Sequence, residues 1–176
     1  MMNRLFRLLF ALLVCVAPLQ AQQLKAHAKL FARAAAGDVK AVVQVEIDEG
    51  WHLYNDDTGT GGSVGTPTSL KWDADGITWS EPRFPNPKKI FEEGLKAPDG
   101  GRAWSWVHDG TILIYAKGHT DAGKPDLSKI TLEISGLTCQ KSCIQYSEEL
   151  IVEGPGDDKL FANFPKIGRA SCRERV

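Results

Sequence analysis

Cysteine is scarce in this sequence: 176 residues hold four, and Cys15 and Cys172 sit near the ends. Thiol chemistry in the body of the chain therefore reduces to one close pair, Cys139 and Cys143. Long apolar runs are also missing. The longest, residues 8–17, falls far short of the roughly 20 residues a membrane-spanning helix needs, so it does not read as an anchor. Basic clusters are absent. The 21 Lys and Arg face 22 Asp and Glu, a net charge of −1, which argues against nucleic acid and against an anionic membrane surface as partners. Glycine is plentiful, yet no Gly-Lys-Ser/Thr phosphate loop follows it, and no internal repeat or low-complexity segment is visible. What the chain does have is five Trp, seven Phe and regular apolar alternation, and these exclude disorder.

Both ends read as foreign to the fold. Arg4 and Arg7 precede the apolar run, Pro18 breaks it, and Ala21 offers a small residue for cleavage, which is the pattern of a secretory leader over residues 1–21. A lipoprotein reading through Cys15 is disfavoured by the bulk of Val14. Export puts the mature chain, from about Gln22, in a compartment where disulfides form. The last ten residues, IGRASCRERV, show no apolar periodicity and resemble, residue for residue, the translation of a common sequencing adapter. Cys172 is then left out of the cysteine arithmetic, and the natural chain is expected to continue past Lys166. Without the two ends, the net charge over residues 22–166 is −5.

Between those ends the pattern is all-β. Val43, Val45 and Ile47 alternate with Gln44 and Glu46, as in a half-buried strand. Residues 51–54, 77–79, 111–116, 130–134 and 150–152 add short runs rich in aromatic and β-branched side chains. Turn signals separate them at Asp75-Gly76, Pro98 to Gly101, Asp109-Gly110 and Lys124-Pro125-Asp126. The alanine content of residues 22–36 suits a helix, but Leu24, Ala26, Ala28 and Leu30 alternate and favour a strand. Short strands without a long helix point to a β-sandwich. Two irregular stretches interrupt it. Residues 55–67, with four glycines, are expected to be a flexible connection, and residues 81–88, with three prolines, to cross between sheets.

Cys139 and Cys143 are separated by Gln140, Lys141 and Ser142, close enough for a disulfide if the chain turns. Closing so short a loop removes about 2 kcal/mol of unfolded-state entropy, against about 4.7 for a hundred-residue loop. A short-loop pair suits reversible exchange, in which one thiolate attacks and its neighbour resolves the mixed disulfide. Lys141 favours a thiolate, whereas Glu148 and Glu149 oppose one. Spacing alone leaves three readings open: a redox pair, a structural disulfide or a metal site. For the last, His52, His108 and His119 are candidate ligands beside two thiolates, a set that suits Cu(I) or zinc, although they are scattered and show no ligand spacing.

Gly50-Trp51-His52-Leu53-Tyr54-Asn55, then Thr66-Pro67-Thr68 and Leu70-Lys71-Trp72, then Cys139 to Ile144 and Glu148-Glu149-Leu150, resemble in their order the N-terminal periplasmic domain of the DsbD thiol:disulfide interchange proteins. The likeness runs from about Leu24 to Val152, and the three-residue spacing of the cysteines is more similar to the suppressor-of-copper-sensitivity branch. The resemblance implies an immunoglobulin-like β-sandwich over residues 22–166. It implies that Cys139 and Cys143 are the catalytic pair, that no bound cofactor is needed, and that electrons come from a thioredoxin-like donor domain and pass to oxidised periplasmic thiol proteins. It also leaves room for a membrane domain beyond Lys166. In that family a cap loop shields the pair; the equivalent here falls between Lys88 and Trp106, with Phe91, Trp104 and Trp106 as candidate covers. Trp104 and Trp106 also read as same-face strand residues packing on the core. Of the two sulfurs, Cys143 is the favoured attacker.

Overall fold

A computed structural model describes residues 24–164, apart from positions 60, 64 and 122. The expected leader and the adapter-like segment lie outside the described residues. Alternation decides the architecture. β1 (Ala26–Ala35) and β2 (Asp38–Ile47) form a hairpin over the tight turn at Ala36-Gly37, in register from Ala26↔Ile47 to Ala35↔Asp38. The alanine-rich segment is thus a strand, and Leu30 and Ala32 point to the core as the alternation requires. β8 (Thr111–His119) pairs with the far side of β2, and the short β5 (Thr78–Trp79) closes that edge.

The second sheet is built around β9 (Thr131–Cys139), which forms a hairpin with β10 (Cys143–Gly154). Along its other edge β9 pairs with β3 (His52–Tyr54) and β4 (Ser69–Asp73), laid end to end. β7 (Arg102–His108) adds to β3, and β6 (Lys88–Lys96) forms the outer edge. β10 joins the two sheets: residues 143–151 pair with β9, and Val152 and Gly154 run parallel to β1 at Leu30 and Phe31. Between the sheets lies one core, with Leu30, Val43, Val45 and Ile114 from the first facing Leu53, Leu132, Ile134 and Tyr146 from the second. Truncating any of these large side chains to alanine costs about 2–5 kcal/mol. This is the expected all-β, immunoglobulin-like sandwich.

Residues 81–88 cross between sheets as expected. Arg83 exchanges backbone hydrogen bonds with Tyr115 of β8 (2.7 and 3.0 Å) before the chain enters β6. Residues 55–67 depart from expectation. Rather than hanging loose, the segment runs along β7, with bonds from Asn55 N to Trp106 O (3.0 Å), Trp106 N to Thr58 O (3.1 Å) and Trp104 N to Gly61 O (2.9 Å). The chain ends its described part in the short helix α1 (Asp158–Ala162), held to β1 by Arg33.

Candidate functional site

Cys139 is the last residue of β9 and Cys143 the first of β10; they stand directly opposite in the register, 4.1 Å apart at Cα and disulfide-bonded. The intervening Gln140, Lys141 and Ser142 form the hairpin tip, closed by Gln140 N donating to Ser142 O. Alternation fixes which way the sulfurs face. Leu132 and Ile134, with Thr138 in the same phase, are buried inward, so Cys139 projects from the outer face of the second sheet. Outward residues of β9 are otherwise exposed or half-buried, yet Cys139 is only 3% exposed. Cys143, its bonded partner, is exposed.

The cover over Cys139 is a small second apolar cluster of Tyr54, Val107, Ile90 and Leu137. Strands β3, β6 and β7 position it. His52 of β3 pairs with Cys139, and Tyr54, two residues on, lies on the same face and pairs with Val107. On β6, Ile90 pairs with Ser105 and so shares that face with Val107. A carboxylate pins the arrangement: Glu92 accepts from the Tyr54 hydroxyl (3.1 Å) and from the Ser105 hydroxyl, linking β3, β6 and β7. Burial, then the charge of Glu92, push the Tyr54 phenol well above its ordinary range, so it remains a hydrogen-bond donor.

The structure puts Phe91, Trp104 and Trp106 on the opposite face of the same hairpin. Phe91 pairs with Trp104, and the two indoles meet edge to face at 5.2 Å. Lys89 and Arg102 lie over these rings, with Lys89 4.2 Å from the Trp104 centroid and Arg102 4.6 Å from that of Phe91. Gly59 and Gly61 press on Trp104, and a Cβ at Gly61 would lie 2.3 Å from that ring. The aromatics therefore brace the back of the hairpin whose front carries Ile90 and Val107. Those two residues, with Tyr54, were missed as covers. The signal that identifies them is the strand phase: each of Ile90 and Val107 lies one residue from a chosen aromatic.

The three candidate histidines do not converge. His119 is exposed at the end of β8, pairing with Asp38 (3.1 Å). His108 is buried on the inward face of β7, bonded to Asn55 Oδ1 (2.8 Å), and burial holds its pKa below the ordinary value despite Asp56 and Asp109. Only His52 adjoins the cysteines. Its Nε2 is buried without a partner, and burial lowers its pKa against the pull of Glu92 and Asp109. Among the described residues no group of three or more His, Cys, Asp or Glu could hold a metal ion. Glu148 is also turned away from the sulfurs: it accepts from Tyr146 Oη (2.8 Å) and Ala28 N (2.7 Å).

A cleft of about 470 Å³ is lined by His52, Ile90 and Val107, which neighbour Cys139, and by Trp51, Lys88 and Asp109; neither cysteine lines it. Gly50 brings the turn before β3 against the hairpin tip, since a Cβ there would lie 2.7 Å from Gln140 Nε2. The site thus consists of an exposed sulfur bonded to a buried one, with an imidazole beside the buried one and an open cleft lined by that histidine.

Comparison with known proteins gives a family model described as thiol:disulfide interchange protein DsbD, N-terminal, which matches residues 20–154. Among solved structures, the chain is similar to the N-terminal periplasmic domain of ScsB from Proteus mirabilis, at 20% identity and a TM-score of 0.50, over 80% of this chain and 53% of that one. It thus spans about half the length of the ScsB structure. It is also similar to the DsbD N-terminal domain of Neisseria meningitidis in the reduced form, at 18% identity and a TM-score of 0.46, over 73% of this chain and 86% of that one. No curated protein matches it. No helix among the described residues is long and apolar enough to cross a membrane.

Proposed function

Because this chain belongs to the DsbD N-terminal domain family, we propose that it is a periplasmic exchange module whose Cys139–Cys143 pair cycles between dithiol and disulfide. It takes two electrons from a thioredoxin-like donor and passes them to oxidised periplasmic thiol proteins. The observation that carries this reading is the asymmetry of the pair: one sulfur is offered at an exposed hairpin tip while its partner is buried under Tyr54, Ile90 and Val107. A staple needs no exposed member, whereas exchange needs one sulfur that a partner can reach and one held back to resolve the mixed disulfide. The working domain is residues 22–166, after a leader of residues 1–21, with residues 167–176 no part of it. The β6–β7 hairpin serves as the shield, with Ile90 and Val107 in front and Phe91, Trp104 and Trp106 bracing it from behind.

The test uses single-cysteine variants. Cys139→Ala retains the exposed sulfur and should trap a mixed disulfide with an oxidised partner; Cys143→Ala should trap little. The parent disulfide should equilibrate with glutathione or thioredoxin, whereas structural disulfides typically lie below about −300 mV. A potential well below that value, with neither variant trapping a partner, would make the pair an inert staple and the domain a non-catalytic interaction module. Tight Cu(I) or zinc binding by the reduced pair, with no trapped disulfide, would make it a metal carrier.

A further inference from the structure

Cys139 poses a protonation problem that the exchange reading alone does not solve. Its surroundings are Tyr54, Val107, Ile90 and Leu137, and a sulfur in apolar surroundings resists becoming a thiolate. Yet Cys139 must become nucleophilic to resolve a mixed disulfide, and must leave as a thiolate when the disulfide is reduced. The acid–base groups of the neighbourhood are few. The Tyr54 hydroxyl is committed to Glu92, and Lys88 on β6 is committed to Asp109 (2.7 Å to Oδ2). Lys141 is exposed at the hairpin tip, and Asp48 and Glu49 belong to the turn on the far side of the cleft. His52 remains. It is the cross-strand partner of Cys139, on the same face, which sets their Cβ atoms about 5 Å apart. Its Nε2 is buried and unpartnered, and His52 is also one of the residues that line the cleft.

We propose that His52 carries the proton of Cys139 during exchange, a role that rests on the exchange reading above. In the oxidative direction Cys143 has already attacked the partner disulfide and holds one of its sulfurs. The Cys139 thiol gives its proton to the neutral imidazole as its sulfur attacks Cys143 Sγ. The Cys139–Cys143 bond forms, the bond from Cys143 to the partner sulfur breaks, and the partner leaves as a thiolate that is protonated by solvent. The pair loses two electrons and the partner disulfide gains them. In the reductive direction a donor thiolate attacks Cys143, and imidazolium protonates the departing Cys139 sulfur. Burial holds His52 below its ordinary pKa and so in the neutral form that accepts a proton, while the charges of Glu92 and Asp109 partly oppose burial and favour the imidazolium that follows.

The expected effect is bounded by thiolate scarcity. Even a thiol of ordinary pKa near 8.5 is only about 3% ionised at pH 7, and apolar surroundings leave Cys139 less ionised still, so a base that removes the need for prior ionisation has at least about 30-fold to gain there. The gain shrinks about tenfold per pH unit as the pH rises towards the point where the thiol ionises unaided. The experiment mixes the full reduced chain with glutathione disulfide, quenches with acid and follows by mass the mixed disulfide on Cys143 and its resolution, from pH 5 to 9.5, for the parent and His52→Gln. The proposal expects resolution in His52→Gln to be at least about 10-fold slower at pH 7, with the gap to the parent narrowing steadily as the pH rises to 9.5. Equal rates at every pH would overturn it while leaving exchange intact. Slowing by one constant factor across the whole range would also overturn it, since a purely structural role does not follow thiol ionisation. Absence of any mixed disulfide or oxidation in the parent would overturn the exchange reading itself, and this proposal with it. Should His52→Gln fail to fold, the parent alone decides. Its resolution rate should hold a plateau below about pH 8 down to the histidine titration, rather than fall tenfold per pH unit as that of a lone thiol does.

Discussion

Replacing Gly65 by alanine tests whether the glycine-rich segment is part of the site. A Cβ at Gly65 would lie 2.1 Å from Cε1 of Tyr54, 2.2 Å from Cδ1 and 2.4 Å from Cζ. Tyr54 is 1% exposed, so its ring has no open side into which to retreat. Overpacking of this kind costs about 1–3 kcal/mol. Displacing the ring also strains the Tyr54–Glu92 hydrogen bond, which adds about 1 kcal/mol. Gly65→Ala should therefore destabilise the oxidised protein by about 2–4 kcal/mol, read as a shift of the urea midpoint at constant slope. Because Tyr54 is one of the covers of Cys139, the same variant should speed reduction of the disulfide by dithiothreitol.

Gly76→Ala is the matched control. Gly76 has φ +70°, and a Cβ there would meet nothing within 4 Å, so alanine suffers only the left-handed backbone, about 1–2 kcal/mol, and should leave the reduction rate unchanged. Tyr54→Leu removes the ring that Gly65→Ala collides with, so the two changes together should cost less than their sum by at least about 1 kcal/mol. Additive losses, or a Gly65→Ala protein within about 0.5 kcal/mol of the parent, would refute the packing of residues 55–67 against the site.

Glu92→Ala should cost about 2–4 kcal/mol, because it leaves the buried hydroxyls of Tyr54 and Ser105 without their acceptor; a double-mutant cycle of Glu92→Gln with Tyr54→Phe should give a coupling near 1 kcal/mol by urea unfolding. Stability should fall on acidification below about pH 6.5, and His108→Gln should flatten that slope. The folded state holds His108 below its unfolded pKa, so the unfolded chain binds the extra proton, and stability present above about 6.5 is lost as the pH falls towards the folded-state value. Arg33→Ala should free α1 while sparing the core. Its guanidinium donates to Pro155 O (2.7 Å) and Gly156 O (2.8 Å) and stacks 4.2 Å from the Phe161 centroid, so hydrogen exchange should rise in residues 157–164 and stay protected in β2 and β9.

The strands legible in the sequence were those with one wet face and one dry face. β2, β8 and β9 alternate cleanly because one side of each meets solvent and the other meets the core. β6 was not legible: Lys88-Lys89 and Glu92-Glu93 cover both of its faces, as suits a sheet edge, and Gly94 at φ +74° interrupts it. β4 is short, with only Leu70 and Trp72 half-buried against the core and the residues between and beside them exposed. The closeness of Cys139 and Cys143 was legible from their spacing, and the turn between them lets them join in a disulfide. The covers of the pair were not, because size drew attention to Phe91, Trp104 and Trp106, while phase assigns the cysteine side to Ile90 and Val107. Residues 55–67 misled for a related reason. Four glycines suggest freedom, but at Gly61 and Gly65 the missing side chain is what lets the backbone lie against Trp104 and Tyr54.

Placing the Cys139–Cys143 pair on the outer face of a sandwich separates two demands that the proposed exchange would otherwise set in conflict. The fold is held by the core on the other side of β9, where Leu132 and Ile134 meet Leu30 and Val43. A five-residue ring at a hairpin tip contributes only about 2 kcal/mol of chain entropy, so opening it takes little from that core. The β9–β10 register continues for eight further pairs beyond the cysteines, from Ile144↔Thr138 to Ile151↔Thr131, and keeps the two sulfurs facing each other after the bond is broken. Reduction thus need not be followed by separation. On the exchange reading, the buried thiol then stays within reach of the exposed one at a high effective concentration, which is the condition for a mixed disulfide with a partner to be short-lived.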